Sequence, residues 1–164
     1  MLARLQEGFA ARTDISIGVV LDAVPNGDNA CSRLVSDVRA CTACERMSHV
    51  LGAANGPIDA RALFVADAAG RRSAAVTVVP SMHDESGRHF AAFLALAGLS
   101  RDGVFITNAV LCNPTDAVGR NRTPSSGEIA RCRPFLARTL ALIDAPVVVA
   151  LGRVALGMQL GGAA

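Results

Sequence analysis

Four of the five cysteines fall into two pairs that could do metal chemistry. Cys41 and Cys44 form a C-x-x-C unit, in which one tight turn can bring both thiolates to the same metal. Cys112 and Cys132 stand further apart, the first after a strand-like run and the second near a helix start. Four thiolates from two such pairs suit zinc or a [4Fe–4S] cluster. The bland alternative is that Cys112 and Cys132 are ordinary buried thiols, since free cysteine packs well. Cys31 fits neither pair and reads as a bystander.

The second candidate chemistry is polar recognition at a strand end. Val104, Phe105, Ile106 and Thr107 are β-branched or aromatic, as in a buried strand. The amide of Asn108 follows, and α/β folds place ligand sites at the carboxyl ends of such strands. A turn or capping role would serve Asn108 equally well. A turn-rich loop leads from Asn113 to Asn121, and Ser125 then stands three residues before Glu128, the capping-box spacing of a helix start. That helix carries Cys132 in its second turn. Arg71, Arg72, Arg120, Arg122, Arg131 and Arg133 flank these positions, where they could neutralise phosphates or simply be a solvated surface.

The elements that must position these groups are read from hydrophobic pattern. Leu34, Val35 and Val38 mark a short helix leading into Cys41. The segment from Gly52 to Ala60 is a loop, and Arg61–Ala66 is the first core strand, ending at Asp67. A polar loop from Arg71 to Gly87 precedes a helix with Phe90, Phe93, Leu94 and Ala97 on its inner face and Gly98 at its end. The Val104 strand follows, then a helix with Ile129, Cys132, Leu136, Leu140 and Ile143 at helical spacing. Pro134 should kink or restart it. Pro146–Leu151 is a strand without polar alternation, expected to be covered on both faces, and a short helix starts near Val154. Strands alternating with helices predict an α/β fold, a three-layer αβα sandwich around a parallel sheet. Asp67, Asn108 and Gly152 should share its carboxyl edge and one site. In the first thirty residues, Ile15–Val24 reads as a strand and Pro25–Asn29 as a turn.

Length and composition bound the rest. The 164 residues suit one domain with a real core, 51% hydrophobic but only 4% aromatic. A net charge of +2 does not by itself argue for nucleic acid. All 16 basic residues are Arg, a bias that genome composition explains as well as phosphate binding does. No apolar run reaches the roughly 20 residues of a membrane span, and the N-terminus does not read as a signal peptide. A reducing cytoplasm is therefore expected, with the cysteines as ligands or free thiols.

Taken together, RACTACERM (39–47), LGAANGPIDARALFVADAAG (51–70), SGRHF (86–90), GLSRDGVFITNAVLCNP (98–114), NRTP (121–124), EIARCRPFLARTL (128–140) and VVVALGRVAL (147–156) resemble the iron–sulfur uracil-DNA glycosylases, families four and five. The resemblance is colinear over residues 34 to 158. It implies a uracil-DNA glycosylase-like domain over residues 31–164, preceded by an extension over 1–30 and lacking the family's usual C-terminal segment. It also implies that Cys41, Cys44, Cys112 and Cys132 hold a structural [4Fe–4S] cluster in preference to zinc. Asn108 would read the uracil edge, because a carboxamide both donates to a carbonyl and accepts from N3–H. Asp67 would be the catalytic carboxylate, standing where the family has Glu, with Ala66 and Gly70 as substrate-binding neighbours. Arg71, Arg120 and Arg122 would contact DNA phosphates. The implied partner is uracil-containing DNA, met by a monomer without a membrane.

Departures from the family are also plain. Asp67 is one methylene short, the family's stacking Phe is replaced by Ser81 after Pro80, and its His-Pro-Ser motif is not found. His83 and His89 are poor substitutes. The resulting expectation is excision that is slow or absent, with two other readings beside it: an inactive relative that keeps the cluster and binds DNA, and a zinc-stapled binding module unrelated to DNA.

Overall fold

The structure, a computed structural model, describes residues 27–44, 51–71 and 85–160. The expected strand at Ile15–Val24, and Arg72, Pro80, Ser81 and His83, lie outside the described residues. Three strands form one parallel sheet: β1 (Ala62–Ala68), β2 (Val104–Val110) and β3 (Val148–Leu151), in the order β2-β1-β3. Residues Leu63 to Ala66 of β1 pair on one side with Phe105 to Asn108 and on the other with Val148 to Leu151. β1 is longer than its apolar pattern suggested, because pairing of Ala68 with Val110 carries it past Asp67.

Helices cover both faces, which gives the expected αβα layering. α1 (Gly27–Ala40), α3 (Ser126–Leu142) and α4 (Arg153–Leu160) supply Leu34, Val38, Leu136, Ala155 and Met158 to a core with Leu63, Val65 and Phe105. On the other face, α2 (Glu85–Leu96) sets Leu94 over Ala62, Val104 and Ile106. Phe90 meets Phe64 edge-on with ring centroids 5.0 Å apart. Each fully buried Leu, Ile, Val or Phe contributes about 1.5–3 kcal/mol relative to exposure, so the central strands anchor the molecule.

Four expectations need correction. Gly27 to Asn29, read as part of a turn over Pro25–Asn29, are helical and belong to α1. Phe93 is 67% exposed, because α2 packs through Gly87, Phe90 and Leu94, a narrower stripe than its hydrophobicity implied. Pro134 does not restart α3, which runs as one helix from Ser126 to Leu142. β3 is an edge strand with Val148 43% and Leu151 39% exposed, not a strand covered on both faces.

One device missed in the sequence fixes the amino end of β2. Asn55 is fully buried in the loop before β1, donating from Nδ2 to the Ile106 carbonyl (2.7 Å) and accepting the Gly52 N–H (2.8 Å). Gly56 follows with φ 137°, and a Cβ there would strike the Val104 carbonyl. Arg101 clasps the same loop through the Ala54 and Asn55 carbonyls.

Candidate functional site

The capping box at the start of α3 forms as its spacing required. Ser125 Oγ accepts the Glu128 N–H (3.3 Å), and the Glu128 carboxylate accepts the Ser125 N–H (2.7 Å). With the first turn fixed, the buried face of α3 is Cys132, Leu136 and Thr139, one position every third or fourth residue. Cys112 arrives from the other side, two residues after the wholly buried β2. Its thiol is hydrogen-bonded to both Cys132 and Cys44, which joins one residue from each sequence pair. The Cys112 hydrogen bond, helped by the Leu111 N–H, holds Cys132 below an ordinary thiol, at about 7, against the effect of burial. The same contact, with burial, pushes Cys112 up.

Cys41 stands at the end of α1, three residues before Cys44 and, like it, partly exposed. Among the described residues no three His, Cys, Asp or Glu side chains are close enough to hold a single ion. The donor types are nevertheless those a thiolate-bound centre uses: Cys44 and Cys132 each contact Cys112, and Cys112 and Cys132 are buried. Cys31 lies apart, on the wall of a groove of about 960 Å³, with Ser32, Arg39 and Arg101. That groove opens beside the amino end of β2, away from the strand exits.

Asp67, Asn108 and Gly152 do lie at the carboxyl edge, in adjacent rows of the sheet. Side chains alternate along a strand, however, and Asp67 and Asn108 fall on opposite faces. Asn108 pairs with Ala66 and shares the face of Phe64 and Ile106, under α2. It is 4% exposed, and its Nδ2 is buried with no hydrogen-bond partner among the described residues. Asp67 turns to the α4 face, where Oδ1 accepts the Ala155 N–H (2.9 Å). Its carboxylate fills the notch left by Gly152 (φ 125°), where a Cβ would overlap it. It caps α4 from 88 residues away, a favourable seat for an anion. The expectation that both side chains face one site is not met.

The loops leaving β1 and β2 meet above this edge. A cavity of about 290 Å³ lies between them, lined by Asp67, Ala69, Gly70, Asn121, Arg122 and Pro124 among others. A second, of about 350 Å³, lies beside Cys44, Asn113, Arg122, Glu128 and Arg131. The three arginines expected on phosphates already have partners. Arg71 donates to the Gly119 carbonyl (3.2 Å), Arg120 pairs with Asp116 (3.3 Å), and Arg122 forks onto Glu128 with two bonds of 2.8 Å. His89 is exposed on α2. Asn113 and Asn121, which read only as turn residues in sequence, tie the two loops together.

An apolar-faced parallel sheet thus carries, at its carboxyl edge, an amide whose buried Nδ2 has no partner among the described residues, with contacting thiols on the loop beyond. The profile of the uracil DNA glycosylase superfamily matches residues 53–163. The chain belongs to this superfamily. The matched stretch runs from the turn before β1 through α4, so it includes Asp67, Asn108, Cys112 and Cys132 and starts after Cys41 and Cys44.

Among superfamily members, the Type-4 uracil-DNA glycosylase of Thermotoga maritima is 33% identical over 137 residues, covering 76% of this chain and 63% of that protein. The Type-4 enzyme of Archaeoglobus fulgidus is 32% identical over 126 residues, 74% of this chain and 59% of its own length. That of Saccharolobus solfataricus is 29% identical over 131 residues, 73% and 54% respectively. The chain therefore spans under two thirds of the length of these relatives.

Proposed function

We propose that the chain is an iron–sulfur uracil-DNA glycosylase of the Type-4 kind, hydrolysing the N-glycosidic bond of uracil in DNA, and that it does so slowly. The observation that carries this reading is the buried Asn108 Nδ2, without a partner among the described residues, at the sheet edge of a superfamily member whose relatives are named Type-4 uracil-DNA glycosylases. A buried donor left without a partner costs about 1–3 kcal/mol, and a base extruded from the duplex offers the carbonyl oxygen that would satisfy it. The carboxamide's own oxygen accepts from uracil N3–H, a proton cytosine lacks. Ala66, which pairs with Asn108 across the strands, and Gly70, on the wall of the Asp67 cavity, would be the substrate-binding neighbours.

Asp67 is the carboxylate of this reading. Oδ1 already accepts the Ala155 N–H, which leaves Oδ2 the better placed of the two oxygens to orient water or steady a cationic sugar. Cys41, Cys44, Cys112 and Cys132 would hold the [4Fe–4S] cluster, with zinc as the alternative, and the cluster when bound supplies a rigid tie between loops. Arg71, Arg120 and Arg122 would reach phosphates only by leaving their present partners. The protein would work as a monomer on uracil-containing DNA in the cytoplasm. No helix of the described residues is long and apolar enough to cross a membrane.

A second reading, a DNA-binding relative without turnover, is favoured by the one-methylene-short Asp67 and its placement on the face opposite Asn108. Misplacing a catalytic group by about 1 Å costs on the order of a hundredfold in rate. Single-turnover excision from a uracil-containing oligonucleotide separates the two. The glycosylase reading expects measurable excision, at least about a hundredfold below the Thermotoga maritima enzyme, that Asn108→Ala and Asp67→Ala each reduce. Binding of that oligonucleotide with no excision by the unmodified chain would establish the second reading instead.

A further inference from the structure

β1 ends at Ala68, so the Ala69 carbonyl and the Arg71 N–H leave the sheet without ladder partners. Ala69 is itself buried, and a buried backbone group must find a partner elsewhere. Two side chains from the loop after β2 meet that need. Asn113 is buried and donates from Nδ2 to the Ala69 carbonyl (2.6 Å) and to Asn121 Oδ1 (3.3 Å). Asn121 Oδ1 also accepts the Arg71 N–H (3.2 Å). The two amides act in opposite senses, Asn113 purely as donor and Asn121 purely as acceptor in these contacts.

The clamp is itself anchored toward the cysteines. Asn121 bridges to Thr115, and the Arg122 N–H donates to the Pro114 carbonyl (3.1 Å). The Arg122 guanidinium then forks onto Glu128, the capping residue one turn before Cys132. A continuous set of hydrogen bonds thus runs from the first turn of α3 to the wall of the cavity that Asp67 and Gly70 line.

We infer that Asn113 and Asn121 are positioning residues: they set the Ala69–Arg71 loop, and through it the Asp67 side of the cavity, by a donor–acceptor arrangement that tolerates a carboxylate at 121 but not at 113. Asp at 121 keeps the acceptor for both Arg71 and Asn113. Asp at 113 would set a carboxylate against the Ala69 carbonyl and Asn121 Oδ1, acceptor facing acceptor. The consequence for catalysis rests on the glycosylase reading; the consequence for the loop does not.

The experiment compares Asn121→Ala, Asn121→Asp and Asn113→Asp in the full chain. Metal content and far-UV circular dichroism are checked first, then amide exchange of the peptide covering Ala69–Arg71, and then kcat and KM for excision from a uracil-containing oligonucleotide. Asn121→Ala and Asn113→Asp should speed Arg71 exchange by about tenfold or more and lower kcat by a similar factor with KM nearly unchanged, the signature of a displaced group. Asn121→Asp should recover most of what Asn121→Ala loses, in both readouts. If Asn121→Asp is as damaging as Asn121→Ala, or a folded Asn113→Asp is harmless, the inference is overturned. Should Asn113→Asp fail to fold, the two substitutions at 121 decide by themselves. If the unmodified chain does not excise uracil, the activity reading fails, and Arg71 exchange alone still settles the clamp.

Discussion

The chain leaves β2 and β3 in contrasting ways. All seven residues of β2 are buried, and the exit that follows is restrained by Asn113, Asn121, Arg122 and the thiol contacts of Cys112 before α3 begins. β3 is four residues long, pairs with β1 alone among the described residues, and passes through Gly152 directly into α4, with Val148, Leu151 and Leu156 exposed. The first exit concentrates polar groups that are bonded to each other and to backbone. The second is an apolar edge whose one strong polar contact is Asp67 on Ala155. Long-range hydrogen bonds and burial therefore collect where the proposed site and the thiol centre lie, and substitutions at the two exits should differ accordingly.

The largest difference is expected at the thiols. Cys132→Ser removes a proposed ligand and a buried partner of Cys112, so it should abolish metal binding and, in the metal-loaded protein, destabilise by several kcal/mol, since metal-binding free energy is folding free energy. Cys31→Ser, on the wall of a groove at the other end of the sheet, should change neither. Iron and zinc analysis with urea unfolding of both variants reads this directly. Equal losses from the two substitutions would mean that the thiols matter through packing and not as a centre.

A middle-sized contrast tests whether β2 is held more firmly than β3. Asn55→Ala strips the Ile106 carbonyl and the Gly52 N–H of their partner at a fully buried position, a loss of about 1–3 kcal/mol. Val148→Thr, at the exposed edge, should stay within about 0.5 kcal/mol of the unmodified chain. The urea midpoint of each variant at neutral pH is sufficient. A Val148→Thr loss equal to that of Asn55→Ala would show β3 to be covered in solution.

How far such contrasts could be foreseen depends on range. The strand and helix assignments rest on apolar periodicity, and the capping box on a spacing of three; both are local, and both appear in the structure. Of the first cysteine pair, Cys44 comes into contact with Cys112. What the sequence did not disclose is long-range polar bonding. Asn55 and Asn113 look like turn residues in GAANGP and CNPT, and nothing near them names Ile106 or Ala69 as the carbonyl each will serve. Asp67 failed for a different reason. Once pairing carries β1 to Ala68, a shift of one residue decides the face, and the carboxylate is turned toward α4 and away from Asn108. Exposure of Phe93 and β3 was likewise missed, because hydrophobicity predicts burial only when a partner surface is present.

The smallest expected effect is a pH dependence confined to the β2 exit. Glu128 accepts two bonds from Arg122 and further bonds from Ser125, and its side chain is only 13% exposed. The Arg122 fork, with the Ser125 bonds, lowers its carboxyl from the ordinary 4.5 to about 2. A carboxyl depressed in the folded state adds stability that is fully present above its unfolded value. That stability fades as pH falls from about 4.5 and is gone below about 2. Arg122 is partly open to solvent, so screening keeps the contribution modest. Glu128→Gln should therefore unfold at a lower urea concentration than the unmodified chain at pH 6, and the gap should narrow steadily on acidification toward pH 3. A gap that stays constant over that range would assign the effect of Glu128 to its neutral capping hydrogen bonds and remove the Arg122 fork from the restraints that hold the β2 exit.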